Sequence, residues 1–442
     1  MEEFNTLMSF VPNLESTSVL QLGVNQDLTQ ALVNNKVTKV VVVDSDRQKL
    51  NAVKSQSSAN VQFLDQNMNQ IILDDQKFDF VFFNSLLLNS TDEQFVQVIA
   101  NALNNLTDGG YLFFRESCIG SSQSSRTPIT LIDLVQAKEH EENGKKYGFD
   151  LVFAKPNRSF STNEQNADKV SFLFKKIVLE NHHGFKTLKE FMDHKQYSRN
   201  GVLRYEKIFG EGFVSTGGID TTLEFLEVLD LKPNQKVLDV GCGIGGGNFL
   251  MADKYGVECL AMDLSSNMVG IAWERAQAHN NSKTQFEIGD ICKQKFPDNY
   301  FDVIYSRDTI LHIDDKEGLF AKFKKWLKPN GKIFISDYCC GPKPWSPEFE
   351  TYVAGRGYDL RTPAEYGQIF VNLGYRNVKA MDRTDLFVRS LQNELKKMEQ
   401  IKDEFIKEFS EEDFNYLVNG WKAKLQRTAA GHQRWGTFYC EK

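Results

Sequence analysis

Long apolar runs are missing from this sequence. Nowhere in its 442 residues is there a stretch long and apolar enough to cross a bilayer, which takes about 20 such residues. The acidic N-terminus carries no signal-peptide pattern either. Membrane insertion and secretion are not expected, and a cytoplasmic location is. Cysteine is sparse: seven residues, odd in number and scattered, which fits reduced thiols and not a disulfide framework. Cys339 and Cys340 are adjacent near an expected strand end but have no second pair to complete a ligand set, so no metal site is expected. Positive charge is also in deficit. With 52 Lys and Arg against 59 Asp and Glu, a net charge of −7 and no basic cluster, a nucleic-acid footprint is disfavoured. No Asn-Pro-Pro-Tyr run is present to form a flipped-base pocket.

What remains has the composition of a globular protein, 41% hydrophobic and 25% charged. The length exceeds one ordinary domain and suits two, each with its own core. The most telling segment is 237–247, VLDVGCGIGGG. An apolar run ends in Asp239 and breaks into glycines, which let a backbone turn tightly and leave room for a ligand against it. Residues 237–240 are predicted to be a buried parallel strand, with a helix opening over 248–255. A second strand, 258–262, leads into Asp263, an acid placed to accept both ribose hydroxyls of an adenosine. That much fits a dinucleotide and S-adenosylmethionine alike.

Three features separate the two. Asp239 stands two residues before Gly241, where a carboxylate can face the cationic end of a sulfonium amino acid. A dinucleotide needs that helix N-terminus for its pyrophosphate. Residues 286–291 read as a third strand carrying Asp290, suited to an adenine amino group. Finally 296–312, FPDNYFDVIYSRDTILH, is a turn, an apolar strand and a polar loop. This order is that of class I methyltransferases. The expected fold is α/β and Rossmann-like, with S-adenosylmethionine as cofactor and Asp239, Gly241, Gly243, Asp263 and Asp290 in its site.

The first 180 residues repeat the plan. Val19-Leu20-Gln21-Leu22-Gly23 stands where 237–241 stands later, and KVVVVD at 39–44 ends in Asp44 as the later strand leads into Asp263. Phe78-Asp79-Phe80-Val81 parallels Phe301-Asp302-Val303-Ile304, and Asp108-Gly109-Gly110 precedes an apolar strand as Asn330-Gly331 does. The chemistry is not repeated. No glycine follows Gly23 in Val24-Asn25-Gln26-Asp27-Leu28, Gln21 replaces Asp239, and NSLLLNS (84–90) replaces SRDTILH (306–312). Residues 1–180 are expected to be a degenerate methyltransferase-like domain without a donor site, serving as a structural or docking element. Residues 181–442 are expected to be the active domain, with N-terminal lid helices and a helical C-terminal tail.

Ahead of the active strand a helix is predicted at 187–194, followed by Gln196-Tyr197-Ser198, then 201–209 and Val214-Ser215-Thr216-Gly217-Gly218. Amphipathic elements in this position can lie over a cofactor cleft as a lid. Opposite stand Arg307, Asp308 and His312. Singly these are ordinary: Asp308 could cap a helix and Arg307 could form a surface ion pair. Seven runs together carry more: FMDHKQYSRNGVLRYEKIFGEGFVSTGG (191–218), VLDVGCGIGGG (237–247), YSRDTILHI (305–313), SDYCCG (336–341), GRGYDL (355–360), NGWKAKLQR (419–427) and QRWGTF (433–438). Over roughly 185–442 they resemble the phosphoethanolamine N-methyltransferases of nematodes, protozoa and plants. The degenerate first half resembles the nematode type whose C-terminal domain is active and completes phosphocholine synthesis.

The resemblance implies S-adenosylmethionine-dependent conversion of phosphomonomethylethanolamine to phosphodimethylethanolamine and then to phosphocholine, for phosphatidylcholine synthesis. It implies Tyr197 and His312 as the catalytic pair closing over the substrate, and Asp308 as the acid near the amine. Gln196, Tyr205 and Ser215 match pocket and lid positions, with Val214 and Ser215 bordering the donor. Tyr338, Arg356, Tyr358 and Lys424 match the phosphate-binding set. Gly241, Asp263, Leu264, Asp290, Ile291 and Arg307 match the cofactor set. The implied partner is a small phosphobase, and the chain is expected to be a monomer. A methyltransferase for an unphosphorylated amine or an amino acid is the alternative. Apolar residues at helical spacing between Ser390 and Lys424 (Leu391, Leu395, Met398, Phe405, Phe409) read as core-facing stripes. Trp421 and Trp435 read as packing anchors that bring Lys424 to the cleft.

Overall fold

The computed structural model describes residues 14–54, 58–71, 73, 76–84, 90–118, 126–156, 169–179, 185, 187–279 and 283–442. The chain separates into two compact units, Met1–Met192 with Glu287–Lys295, and Asp193–Phe286 with Phe296–Lys442. The expected boundary at 180/181 and the loop segment 85–89 lie outside the described residues.

The first unit is built on β1 (Ser18–Leu22), β2 (Lys39–Asp44), β3 (Val61–Asp65), β4 (Phe78–Asn84), β5 (Leu106–Ser117), β6 (His140–Glu142), β7 (Lys145–Pro156) and β8 (Lys169–Val178). The strand order is β7-β8-β5-β4-β1-β2-β3, with β6 paired to β7. From β5 to β3 all pairs are parallel, while β8 runs antiparallel to β5 and β7. Val40–Val43 are fully buried, as an unbroken Val run on a parallel strand covered on both faces should be. Helices α1 (Gln26–Asn34), α2 (Arg47–Lys54), α3 (Asp92–Asn105) and α4 (Pro128–Gln136) fill the connections. Thr91 and Gln94 form a capping box that starts α3.

The second unit carries β9 (Lys236–Val240), β10 (Glu258–Asp263), β11 (Thr284–Gly289), β12 (Phe301–Arg307), β13 (Leu327–Cys340), β14 (Arg376–Asp382) and β15 (Gln433–Glu441). Their order is β14-β15-β13-β12-β9-β10-β11, the last strand contributing Thr284–Phe286 to this unit. The pairs from β10 to β13 are parallel, and β15 is antiparallel to both β13 and β14. Setting the small hairpin strand β6 aside, the two sheets share one strand order, which is the repeat read in the sequence. The order reverses between β9 and β12, the point where α/β sheets open a ligand crevice.

Helices of the second unit are α6 (Arg199–Phe209), α7 (Gly218–Leu229), α8 (Gly246–Tyr255), α9 (Ser266–His279), α10 (Lys316–Trp326), α11 (Pro347–Arg356), α12 (Pro363–Asn372), α13 (Thr384–Gln400), α14 (Lys402–Glu408) and α15 (Glu411–Ala429). The helix expected over 187–194 is a single turn, α5 (Leu188–Phe191), followed by a π-turn at Met192–Gln196. Asp193 explains the change. Its carboxylate accepts from Ser265 Oγ (2.5 Å) and Ser266 N (3.2 Å), and its carbonyl accepts from Asn267 Nδ2 (3.0 Å), which draws the backbone out of the α-helical ladder. The tail packs as its stripes predicted. Leu391, Met398, Phe405, Trp421 and Trp435 are buried in one core with Phe225 and Phe334, and Leu395 and Phe409 pack on its margin.

Candidate active site

The glycine turn joins β9 to α8. Gly241 and Cys242 donate their amides to Met262 O (2.8 and 3.0 Å), and Gly243 donates to Asp263 Oδ2 (3.0 Å). Gly241 has φ +81°, and a Cβ there would meet Thr309 Oγ1 at 2.0 Å. Gly246 donates to Gly212 O (3.1 Å), and a Cβ on it would lie 2.2 Å from that oxygen. Here the chain needs glycine for approach of backbone to backbone. At Gly247 an added Cβ would meet nothing within 4 Å, so the N-terminus of α8 faces open space. The helix begins two residues before the expected 248, because Gly245 supplies the left-handed N-cap.

Asp239 is 4% exposed, and its Oδ2 accepts from Asn248 Nδ2 (2.9 Å). Its Oδ1 and the Asn248 Oδ1 are buried without a partner among the described residues. Burial pushes the Asp239 carboxyl up to about 7, with Asp263 adding to the rise. Asp263 is pushed up to about 6, again by burial, although Ser265 and Gly243 amides hold its ionised form. Two desolvated carboxylates beside an open glycine cradle fit a cationic adenosyl ligand: an ammonium would satisfy Asp239, and Asp263 keeps lone pairs for ribose hydroxyls. Leu264 is half-buried directly after Asp263. Asp290 Oδ1 accepts from Cys292 N (2.9 Å), starting the 3-10 turn Ile291–Lys293, in the segment grouped with the first unit.

Arg307 does not form the surface ion pair that its side chain alone could suggest. It is buried, not a surface cation. Its guanidinium donates to Ser336 Oγ (3.0 Å), Thr222 Oγ1 (2.7 Å), Thr221 Oγ1 (3.0 Å) and Thr216 O (2.6 Å), over the Phe225 ring. That bonding is internal, so any donor contact from Arg307 would come through its main chain. Val214 packs against Ile244 in a small cluster with Tyr197 and Met268, and half-buried Ser215 precedes Thr216.

Tyr197 Oη and His312 Nε2 are 2.9 Å apart, with the rings edge to face. Burial, reinforced by Arg356 and Lys316, pulls His312 down to about 4, and burial raises the Tyr197 hydroxyl. Both are therefore neutral near pH 7. His312 sits on a 3-10 turn, Ile310–His312, and its ring lies 5.1 Å from Tyr358. Buried Lys316 holds those two segments together, donating to Ile313 O (2.6 Å), Asp359 O (2.8 Å) and Asp359 Oδ2 (3.0 Å). Asp308, with φ +49°, is not a helix cap. Its Oδ1 accepts from Trp435 Nε1 (2.8 Å) and Ser336 Oγ (3.3 Å), and its Oδ2 from Thr216 N (3.1 Å).

Tyrosines line the way to two cations. Lys424 Nζ donates to Tyr338 Oη (3.2 Å) and lies 4.0 Å from the Trp421 ring centre. Burial lowers its affinity for the proton, against Glu394 and Asp308 which raise it. Arg356 ends α11 and has no ion-pair partner among the described residues. Burial opposes its charge, and the hydroxyls of Tyr358, Tyr205, Tyr352 and Tyr416 more than offset that. Tyr205 also stacks near Trp421 (6.0 Å) and Phe209 (6.5 Å). Gln196 is half-buried at the end of the π-turn. Among the described residues no cluster of three or more His, Cys, Asp or Glu could hold a metal ion.

The corresponding turn of the first unit is filled by its own side chain. Gln21, 1% exposed, donates to Gly23 O (3.0 Å) and Asn25 O (3.2 Å) and accepts from Thr29 Oγ1 (2.9 Å). Asp44 bonds as Asp263 does, but to the loop amide one residue earlier: Oδ2 accepts from Val24 N and Oδ1 from Asp46 N, both 2.9 Å. The strand-end acid thus has a fold-level role that survives without the glycines.

Models of methyltransferase domains match residues 238–335 and, separately, 19–110. A phosphoethanolamine N-methyltransferase 3 of Arabidopsis thaliana is 41% identical over the whole chain and 92% of its own length. The chain belongs to the phosphoethanolamine N-methyltransferase family. Phosphoethanolamine N-methyltransferase 2 of Caenorhabditis elegans is 34% identical over 82% of this chain and 84% of its own. Among solved structures, phosphoethanolamine N-methyltransferase 2 of Haemonchus contortus, in complex with phosphomonomethylethanolamine and S-adenosylhomocysteine, superposes with a TM-score of 0.84 at 26% identity, covering 100% of this chain and 98% of that one. The likeness read at 185–442 thus extends through the first half. Reading the sequence missed Glu394, Lys316 and Asp359. Glu394 falls in a run of polar helix residues, and only its burial distinguishes it.

Proposed function

We propose that the second unit transfers methyl groups to the nitrogen of phosphomonomethylethanolamine and phosphodimethylethanolamine, ending in phosphocholine, and that the first unit (1–180 as read from the sequence) binds no donor. The observation that carries this is one tyrosine-lined series running from the neutral Tyr197–His312 pair to two cations, Lys424 and Arg356, neither with an ion-pair partner among the described residues. Such a site suits a ligand with an amine at one end and a phosphate at the other. The full-length likeness to family members and the Haemonchus contortus complex support the same substrate class. The Gln21 plug supports the nematode-like division of labour, in which the C-terminal half is the active one.

S-adenosylmethionine, when bound, supplies an electrophilic methyl group on a sulfonium; Asp239, Gly241, Gly243, Asp263 and Leu264 would hold it, with Val214, Ser215 and the Arg307 main chain around it. Nucleophilic attack needs a neutral amine. For an ammonium with a pKa of about 10.4, losing the proton at pH 7 costs about 4–5 kcal/mol. A closed site that already holds a cation lowers that cost. His312 Nε2 accepts the proton of Tyr197 Oη, and Tyr197 Oη is left to accept from the ammonium, so the pair can take up and relay a proton. Asp308 favours the cation and serves to bind and orient it. Arg356 presents a planar fork to the phosphate and Lys424 a point charge, with Tyr338 and Tyr358 as neutral donors, and Gln196 and Tyr205 close the pocket.

The test incubates the chain with donor and either phosphodimethylethanolamine or dimethylethanolamine, read by mass. Phosphocholine is the expected product, with the dephosphorylated amine turned over at least about a hundredfold less efficiently, since two charge-assisted contacts are lost. Equal use of both amines, or no phosphocholine, overturns the proposal.

A further inference from the structure

Two carboxylates take adjacent amides of the loop that leads into α7, and only one of them belongs to the acceptor set described above. Asp308 accepts from Thr216 N and from the Trp435 indole. Glu394, on α13 and 6% exposed, repeats the device one residue on: Oε1 accepts from Gly217 N (2.8 Å) and Oε2 from Trp421 Nε1 (2.6 Å). On one side, the amides continue a loop whose Val214 packs on Ile244 of the glycine turn. On the other, Trp421 is the indole over which Lys424 Nζ sits while donating to Tyr338. One buried carboxylate is thereby bonded both to the donor-side loop and to the platform of the phosphate-side cation.

We propose that Glu394 is a positioning residue for methyl transfer, fixing loop 214–217 and keeping Lys424 charged where the substrate phosphate is bound. This rests on the phosphobase reading of the site. The groups facing Lys424 are Glu394 from α13, Asp308 from the end of β12, Tyr338 from β13, Arg356 from α11 and Arg427 from its own helix. Burial and the two arginines drive its proton off, and the two carboxylates hold it on. Asp308 is already shared among three donors. Facing Glu394 are Lys424, Asp308, the Trp421 indole and the Gly217 amide; burial favours its protonated form, and the indole, amide and Lys424 favour the ionised one. Removing the charge of Glu394 therefore lets Lys424 deprotonate at lower pH, and the phosphate loses a partner there.

The test is steady-state kinetics of the full chain with phosphomonomethylethanolamine at saturating donor, from pH 6 to 9. In the wild type KM should rise as Lys424 loses its proton. Titration of the substrate itself is common to all variants and cancels in the comparison. Glu394→Gln is expected to move that rise acidward by about one pH unit, giving a KM about threefold higher midway between the two midpoints and approaching tenfold higher well above the wild-type midpoint, with the change in KM exceeding that in kcat. Glu394→Asp, which keeps the charge, should return the rise towards the wild-type pH. A glutamine variant whose KM rises at the wild-type pH, while Lys424→Ala abolishes the rise, overturns the proposal and leaves the phosphobase reading standing. Lys424→Ala with unaltered KM overturns the phosphate role of Lys424 and the proposal with it. Trp421→Phe covers the case in which Glu394→Gln does not fold: it removes the indole donor but keeps an aromatic platform. The unsupported carboxyl then protonates more readily, and the rise moves the same way by a smaller amount. An unmoved rise in this variant also counts against Glu394.

Discussion

Individual side chains here have their chemistry set by burial more than by type. His312 is the clearest case: at about 4 it is uncharged throughout the physiological range, so it can accept from Tyr197 without adding positive charge beside a cationic donor. Tyr197→Phe and His312→Ala should each lower kcat by about 10²–10³-fold. The double variant should be little worse than the poorer single one, because the pair acts as a unit. Rate measurements against pH should show no inflection near 6.5 from the imidazole. Asp239 gives a stability prediction. Its native carboxyl titrates at about 7, above an unfolded carboxylate, so the native state holds a proton that the unfolded chain has released. The stability it contributes is complete below about pH 4 and is lost as pH rises through about 7. Asp239→Asn should thus stabilise the ligand-free chain at pH 8 by an amount on the order of 1–3 kcal/mol, read as a higher melting temperature, and change its stability little at pH 4. The same variant should lose thermal stabilisation by S-adenosylhomocysteine. The pairing of Tyr197 with His312 was legible only through the longer motif runs; neither residue type nor spacing across 115 positions marks them alone.

At the scale of elements, the parallel strands and the glycine turn follow directly from local pattern, and the lid does not. Residues 187–194 have helical periodicity, yet Asp193 is drawn to Ser265, Ser266 and Asn267 and the segment becomes a π-turn. Those partners lie more than seventy residues away, beyond the reach of any window of sequence. The turn–lid contact is testable at Gly246. Gly246→Ala puts a Cβ where Gly212 O stands, and should cost about 2–4 kcal/mol of stability by forcing two backbones apart. Donor affinity, read by calorimetry, should fall with it. A melting temperature within one degree of wild type would mean that this contact yields freely. Helices α13 and α15 show the opposite relation. Their apolar stripes were plain in the sequence, and packing them against Trp421 and Trp435 is what carries Lys424 to Tyr338.

For the whole molecule, one chain holds two copies of a fold, and the proposal is that only the second has a usable glycine turn. The shared strand order and the matching bonds of Asp44 and Asp263 show how much of the plan serves folding alone. Calorimetry with S-adenosylhomocysteine should find one site per chain. Gln21→Asp should not create a second, because Gly23 is followed by no further glycine to open the backbone. Two equivalent sites in the wild type would contradict this reading of the first half. The alternation of apolar strands, acids and glycines by itself determined the fold class, the repeat and the donor class, because these depend on backbone conformation and on burial of contiguous residues. Tertiary structure alone decided the rest: that Arg307 is an internal strut, that Asp308 and Glu394 hold neighbouring amides, and that an unpaired Arg356 sits among tyrosines. Such roles depend on distance between side chains far apart in the chain and on the loss of water around them, and both exist only once the core has closed.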